Sequence, residues 1–205
     1  MTSEIKAFII DDDAAVRESL TSLLDLEGFE TTAFGDGESF LRDIDRSATG
    51  VALVDVNLPD VNGLELQKRL VLEYPGLVVI IITGHGNVPM AVSAIKSGAA
   101  DFIEKPFSGN IVLDTVRRAL ADARGAVVPT QPSAEVLTRI DSLTPREREV
   151  LTQLVIGNRN KIIAYELGIS PRTVEIYRAK VMEKMKADNL SHLIRMALSA
   201  GIGSV

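Results

Sequence analysis

Residues 51–63 read VALVDVNLPDVNG: an apolar run, one aspartate at its end, and a polar loop closed by glycine. The run is short, continuous and partly β-branched, as a central strand of a parallel sheet is. Asp55 stands where that strand stops. The same arrangement recurs on either side, where AFII precedes Asp11-Asp12, LVVIII precedes Thr83, and DFI runs through one glutamate into Lys105-Pro106. A weaker run from Glu30 to Phe34 makes five strands. In a parallel sheet every strand points the same way, so residues just beyond the strand ends gather on one edge, where such folds place their ligands. Three carboxylates, a hydroxyl and an ammonium are therefore expected to share one pocket.

Helical periods separate these strands. Val16, Leu20, Leu23 and Leu24 stop at Gly28; Leu64, Leu66, Leu70 and Val71 end before Pro75; a fourth helix is expected from Val88 to Ser97 and a fifth from Gly109 to Ala123. The count is β5α5, an α/β architecture. Residues 124–134 (RGAVVPTQPSA) hold two prolines, a glycine and small residues without a period, which predicts a linker. After it the periodicity is entirely helical: Thr144 to Val155, Asn160 to Leu167, Pro171 to Met185 and Ser191 to Ala200. The expected division is a domain at 1–123, a linker at 124–138 and an all-α domain at 139–205.

At 205 residues there is room for two small domains with their own cores, and 46% hydrophobic with 24% charged residues is ordinary for a folded soluble protein. No stretch approaches the ~20 apolar residues of a membrane span, and Met1-Thr2-Ser3-Glu4 lacks the blocks of a secretory signal, so a cytoplasmic location away from membranes is expected. The absence of cysteine excludes disulfides, zinc-thiolate sites and thiol catalysis. The net charge of −6 hides an asymmetry: residues 1–138 carry 11 Lys and Arg against 21 Asp and Glu, whereas residues 139–205 carry 11 against 7. A basic tail on an acidic body points to nucleic-acid contact by the tail.

Carboxylates ~4 Å apart repel by roughly 1 kcal/mol in water and roughly 4 at an effective dielectric of 20, so an acidic edge needs more compensation than Lys105 alone supplies. An oxygen-only site without cysteine suits a hard cation such as Mg²⁺. Mg²⁺ beside a carboxylate cluster points in turn to phosphate chemistry, with one aspartate as nucleophile. Asp55 is the candidate, alone on its strand with an exposing loop; Asp11-Asp12 are paired as metal ligands are. Each feature alone has a plainer reading. An aspartate after a strand is often a helix N-cap, as Asp13 is expected to be, Thr83-Gly84 alone is a turn, and Lys105-Pro106 alone ends a strand. The ordered set on successive strand ends carries the stronger reading.

The segment from about Ser3 to Ala123, through IIDDD, LVDVNLPDVNG, IIITGHG and DFIEKPF, resembles the receiver domain of two-component response regulators. That resemblance implies a flavodoxin-like five-stranded fold, Asp55 as phosphoacceptor, Asp12 as a direct Mg²⁺ ligand with Asp11 acting through water, and the Asn57 backbone carbonyl as a further ligand. It also implies that Lys105 pairs with phosphoryl oxygens and precedes a cis peptide at Pro106. On phosphorylation the Thr83 hydroxyl would swing to the phosphate and Phe102 rotate inward, shifting a face between Val88 and Lys105 that is the family's usual dimer surface. Asn57 and His85 match positions flanking the hydrolytic water. His85, in a glycine-flanked loop, is read as a spectator rather than a base, and His192 as a surface or packing residue.

The basic tail shows its own physics. Thr144 with Glu147 three residues on forms a capping box; Ile162, Ile163, Ala164 and Leu167 followed by Ile169, Val174 and Val181 supply a seam across the turn at Gly168-Ile169-Ser170. Ser170 caps the next helix with Pro171 at its first position. Arg172, Arg178, Lys180, Lys184 and Lys186 make that helix basic, as a helix in the major groove requires. The plainer alternative is a solvated basic face on an ordinary bundle. LTPREREVLTQLVIGNRNKIIAYELGISPRTVEIYRAKVMEKMKA resembles the helix-turn-helix of the LuxR/NarL/FixJ class, which implies DNA contacts from Arg172, Thr173, Glu175, Ile176, Arg178, Ala179, Lys180 and Lys184, with bases read at the positions of Glu175, Ile176 and Ala179. Glu175 suits a cytosine amino group, and Ile176 or Ala179 a thymine methyl. Arg159 and Ile162 depart from that family's G-x-S-N-K-E-I-A loop.

ITGHGNVPMAV and SPRTVEIYRAKVMEKM are similar in particular to nitrogen-fixation regulators of that class. The implied function is a response regulator, not an enzyme: a sensor histidine kinase of the oxygen-sensing FixL kind phosphorylates Asp55, receiver inhibition is relieved, a homodimer forms, and DNA binding activates transcription by RNA polymerase. Two rivals stand beside it. One is a DNA binder whose receiver is only a dimerisation scaffold; the other is a Mg²⁺-dependent phosphohydrolase, which lacks an evident substrate cap and acid/base.

Overall fold

The computed structural model describes residues 5–84, 88–124 and 133–203. The chain divides into two compact units. In the first, β1 (Ile5–Ile10) pairs in parallel with β2 (Phe29–Phe34) and β3 (Gly50–Asp55), and β4 (Leu77–Thr83) and β5 (Asp101–Glu104) extend the sheet in the order β2-β1-β3-β4-β5. Helices α1 (Ala14–Leu26), α2 (Gly37–Asp43), α3 (Gly63–Glu73), α4 (Val88–Lys96) and α5 (Gly109–Arg124) alternate with the strands, so the expected β5α5 order is observed.

Both sheet faces are covered, which is why the strands are apolar throughout rather than alternating. Ala7, Ile9, Val51, Leu53, Ile80, Ile82 and Ile103 pack with Leu20 and Leu24 of α1 and Val112 and Val116 of α5. On the opposite face Phe40 of α2 lies edge-on to Phe8 and Phe34 at 5.7 and 5.4 Å between centroids, and tilted against Tyr74, just past α3, at 5.6 Å. The order reverses at β1, which lies between β2 and β3. The crevice at such a reversal opens between the C-terminal ends of β1 and β3, and Asp11 and Asp55 flank it.

The start of α3 is pressed against the end of β3. Gly63 donates its N–H to the Val56 carbonyl at 2.8 Å, and a Cβ at this position would lie 1.9 Å from the Asp55 carbonyl oxygen. Only glycine permits this approach.

The second unit contains α6 (Ala134–Asp141), α7 (Pro145–Ile156), α8 (Asn160–Leu167), α9 (Pro171–Met185) and α10 (Leu190–Ser199). Its caps follow the sequence. Thr144 and Glu147 form the reciprocal box, Ser170 accepts from the Thr173 N–H, and Gly157 and Gly168 end α7 and α8 with left-handed backbone at φ 99° and 62°. Ile163, Ala164, Val174 and Val181 are buried as the seam requires, together with Val150, Leu151, Leu154, Leu193 and Ala197. Ile162 is the exception at 46% exposed: one residue from Ile163, it is turned about 100° around the helix and cannot share the buried face. Helix α6 is a further difference, since it begins at Ala134, inside the stretch expected to be linker. Ser133 caps it by accepting from the Val136 N–H, and Ile140 buries its inner face. The rest of the expected linker, at 125–132, lies outside the described residues.

Replacing Gly63 with alanine drives a methyl into the Asp55 backbone. Chemical denaturation of the full chain is expected to show a loss of more than about 2 kcal/mol, well beyond an ordinary glycine-to-alanine change.

Candidate functional site

The strand ends bring the expected groups together. Asp11 follows β1, Asp55 ends β3, and both are buried, at 2% and 4% exposed. Lys105, just past β5, reaches back across the edge, and its Nζ lies 2.6 Å from Asp11 Oδ2 and 2.8 Å from Asp55 Oδ1. The Lys105 backbone N–H donates to the Thr83 carbonyl at 2.7 Å, which fixes the lysine beside the end of β4, and Thr83 itself is fully buried. The Lys105-Pro106 peptide is cis, as expected. Phe102 sits on β5 opposite Ile81 and is partly buried.

Charge in this pocket is balanced unevenly. Burial raises the Asp11 carboxyl above its ordinary value although Lys105 and the Asp13 N–H pull the other way. For Lys105, burial favours the neutral amine, and the bonds to Asp11 and Asp55 outweigh it, holding the pKa above the usual lysine value. Asp12 is exposed, and Asp13 caps α1 by accepting from the Ala15 N–H at 2.9 Å. Among the described residues no three His, Cys, Asp or Glu side chains converge as a metal-holding group. The lysine ammonium here sits between the two buried carboxylates.

Three positioning contacts were not legible from motif spacing. Asp55 Oδ2 accepts from the Asn57 N–H at 2.5 Å, so the loop orients the carboxylate. Arg17 of α1 donates to the Asp11 carbonyl at 2.6 Å. Asp60, in the loop after β3, accepts from the Gly37 and Glu38 N–H groups at 3.1 and 2.7 Å, tying that loop to the start of α2. His85 lies outside the described residues.

In the helical unit, Arg172, Glu175, Ile176 and Ala179 line an open depression along one face of α9. Their spacing of three and four residues places them on one stripe. Lys180 is exposed, while Thr173 is partly buried and its N–H and hydroxyl face Ser170. Arg178 is half-buried and donates to Asn160 Oδ1 at 2.8 Å; desolvation lowers its pKa below the ordinary arginine value. That bond places a guanidinium at the start of α8, where Arg159 in the cap position makes no side-chain cap and Lys161 follows. A helix N-terminus with cations and no carboxylate is suited to a phosphate. Lys184 is engaged inside the unit, 2.7 Å from Glu147 Oε2. His192 pairs with Asp188 at 3.1 Å and packs at the surface.

A five-stranded receiver sheet with this edge, followed by a helix-turn-helix, defines a class. Residues 7–117 match the response regulator receiver domain and residues 141–197 match the bacterial regulatory proteins of the luxR family, so the chain belongs to the two-component response regulators that carry a LuxR-type DNA-binding domain. Within that class it is FixJ-like. It is 44% identical to the transcriptional regulatory protein FixJ of Bradyrhizobium diazoefficiens over 98% of both chains, and 47% identical to FixJ of Azorhizobium caulinodans over 98% of this chain and 96% of the relative. The crystal structure of full-length FixJ from B. japonicum matches with a TM-score of 0.56 at 44% identity, covering 98% of each chain. Among the described residues no helix is long and apolar enough to cross a membrane.

Asp60 tests the loop. Its bonds to the two N–H groups lower its pKa against the opposing effect of burial, so its contribution is full above the unfolded aspartate value of ~3.9 and is lost as pH falls through the lower folded value. Asp60→Ala is expected to cost roughly 0.5–1 kcal/mol at pH 7, the screened value for an exposed cap, with the gap to wild type closing at strongly acid pH in paired thermal melts.

Proposed function

We propose that Asp55 accepts a phosphoryl group from a phosphohistidine on a sensor histidine kinase, and that the acyl phosphate switches the helix-turn-helix to tighter, dimeric DNA binding and transcription activation. The observation that carries the reading is the Lys105 ammonium within hydrogen-bonding distance of both Asp11 and Asp55 at the mouth of the sheet edge. A carboxylate oxygen of Asp55 attacks phosphorus, the P–N bond to the donor imidazole breaks, and an aspartyl phosphate forms. Lys105 holds a positive charge where the phosphoryl oxygens arrive, which favours transfer electrostatically. The Asn57 N–H keeps the carboxylate aimed.

The pocket's donors are oxygens, a set that fits Mg²⁺. Asp12, Asp55 and the Asn57 backbone carbonyl would hold it, with Asp11 acting through water. When bound, the ion supplies neutralisation of phosphoryl charge. Thr83 and Phe102, on neighbouring strands, are the switch pair, and the face from Val88 to Lys105 is the dimer surface. Base contacts come from Glu175, Ile176 and Ala179, with Arg172, Thr173, Arg178 and Lys180 toward the backbone. A FixL-like kinase and RNA polymerase are the protein partners of this reading.

The test measures covalent phosphate, solution mass and binding to a promoter fragment for wild type and Asp55→Asn, with Mg²⁺ and a small-molecule phosphodonor present or absent. Wild type alone is expected to gain phosphate, dimerise and bind at least about tenfold more tightly, a coupling of ~1.4 kcal/mol. Equal binding by both proteins with and without donor makes the receiver a scaffold and ends the switch reading.

A further inference from the structure

We propose that Lys184 is a positioning residue that sets the seating of the DNA-reading helix α9, in place of the phosphate contact its charge suggests. Its Nζ donates to Glu147 Oε2 at 2.7 Å and to the Ser142 carbonyl at 3.2 Å. Glu147 is only 3% exposed and its carboxylate also accepts the Thr144 N–H at 2.8 Å, so one carboxylate closes the first turn of α7 and receives the last turn of α9. Ser142 is the C-cap residue of α6. One ammonium therefore joins three helices at one point.

Moving Lys184 to a phosphate would strand a buried carboxylate, and breaking a buried pair by withdrawing one partner is strongly unfavourable. The Lys184 bond is the largest cause holding the Glu147 carboxyl below its ordinary value. Its place also suits a cation, since the last turn of a helix carries partial negative charge. Lys180, one turn earlier on α9, is exposed to solvent and is the natural comparison. Arg178 ties the middle of α9 to α8 through Asn160, and Lys184 ties its end to α7. Two anchors on different partner helices fix the direction of a helix, and that direction decides which of Glu175, Ile176 and Ala179 reach base edges.

The inference rests on α9 being the DNA-reading helix. The experiment uses the full chain and a duplex selected from a random pool by the wild type, with affinity measured across salt concentrations and folding checked by thermal melts. A phosphate-contacting lysine contributes ~0.9 to the slope of log affinity against log salt, so Lys180→Gln should lower the slope by about that amount. Lys184→Gln should instead weaken binding by about tenfold at an unchanged slope, the orientation lost with one charge-assisted hydrogen bond, and Lys184→Arg should recover most of it. Glu147→Gln separates the readings by sign and serves if Lys184→Gln does not fold. Freeing a phosphate-binding lysine strengthens binding, whereas loosening a positioned helix weakens it.

A lowered slope for Lys184→Gln, tighter binding by Glu147→Gln, or wild-type affinity in Lys184→Gln with only a lower melting temperature each overturns the proposal. If the wild type selects no duplex, the DNA-reading role of α9 falls and the Lys184 role falls with it; if only the Lys184 pattern fails, the DNA-reading role stands.

Discussion

The first unit turns on one ammonium group placed between two buried carboxylates. Asp11 and Asp55 stand on either side of the crevice created by the sheet's reversal, and both are withdrawn from water. Two such charges held close at low dielectric repel by several kcal/mol, so neither strand end is stable in this position without a cation. Lys105 supplies it from just past β5, two places from β3 and three from β1, and 94 residues along the chain from Asp11. Its own backbone is pinned to Thr83, so the ends of β1, β3, β4 and β5 are tied through one residue. Asp55 is thereby linked to Lys105, and through the Lys105 backbone to Thr83.

The helical unit uses its cations in two ways. Lys184 faces inward to Glu147 and Arg178 is bonded to Asn160 at the start of α8, whereas Arg172 lines the open face of α9 and Lys180 is exposed. Counting basic residues on α9 therefore overstates the charge it offers to a partner. The open face of α9 presents Arg172 and Glu175 with Ile176 and Ala179, a surface with hydrogen-bonding and methyl-contact character suited to base edges.

Most of this was legible in the sequence because the decisive signals are local. An apolar run with a polar terminus fixes a strand and its functional end together, so Asp11, Asp55, Thr83 and Lys105 were placed correctly from pattern alone. The caps at Asp13, Thr144, Ser170, Gly157 and Gly168 are likewise matters of one or two residues. What escaped depends on tertiary meeting. Asp60 reads as a turn residue until α2 is seen beside it, and the direction of Lys184 is set by Glu147, 37 positions away. Ile162 was assigned to the seam because a run of apolar residues hides which of two neighbours faces inward. Helix α6 was hidden by Pro129 and Pro132, whose breaking signal outweighed the weak pairing of Val136 with Ile140.

The two lysine sites invite comparison, since each sets an ammonium against buried carboxylate. In the helical unit one lysine meets one glutamate, and the same carboxylate oxygen also accepts the Thr144 N–H. At the sheet edge one lysine meets two buried carboxylates, Asp11 and Asp55, with Asp12 adjacent in sequence. Burial is the largest cause raising the Asp11 carboxyl, with Asp55 adding to it, whereas the Lys184 bond is the largest cause holding the Glu147 carboxyl below its ordinary value. A matched pair fixes architecture, and an undercompensated cluster favours the arrival of a cation. The same residue type thus meets one buried carboxylate in one unit and bridges two in the other, and the difference lies in the number of carboxylates each lysine must answer.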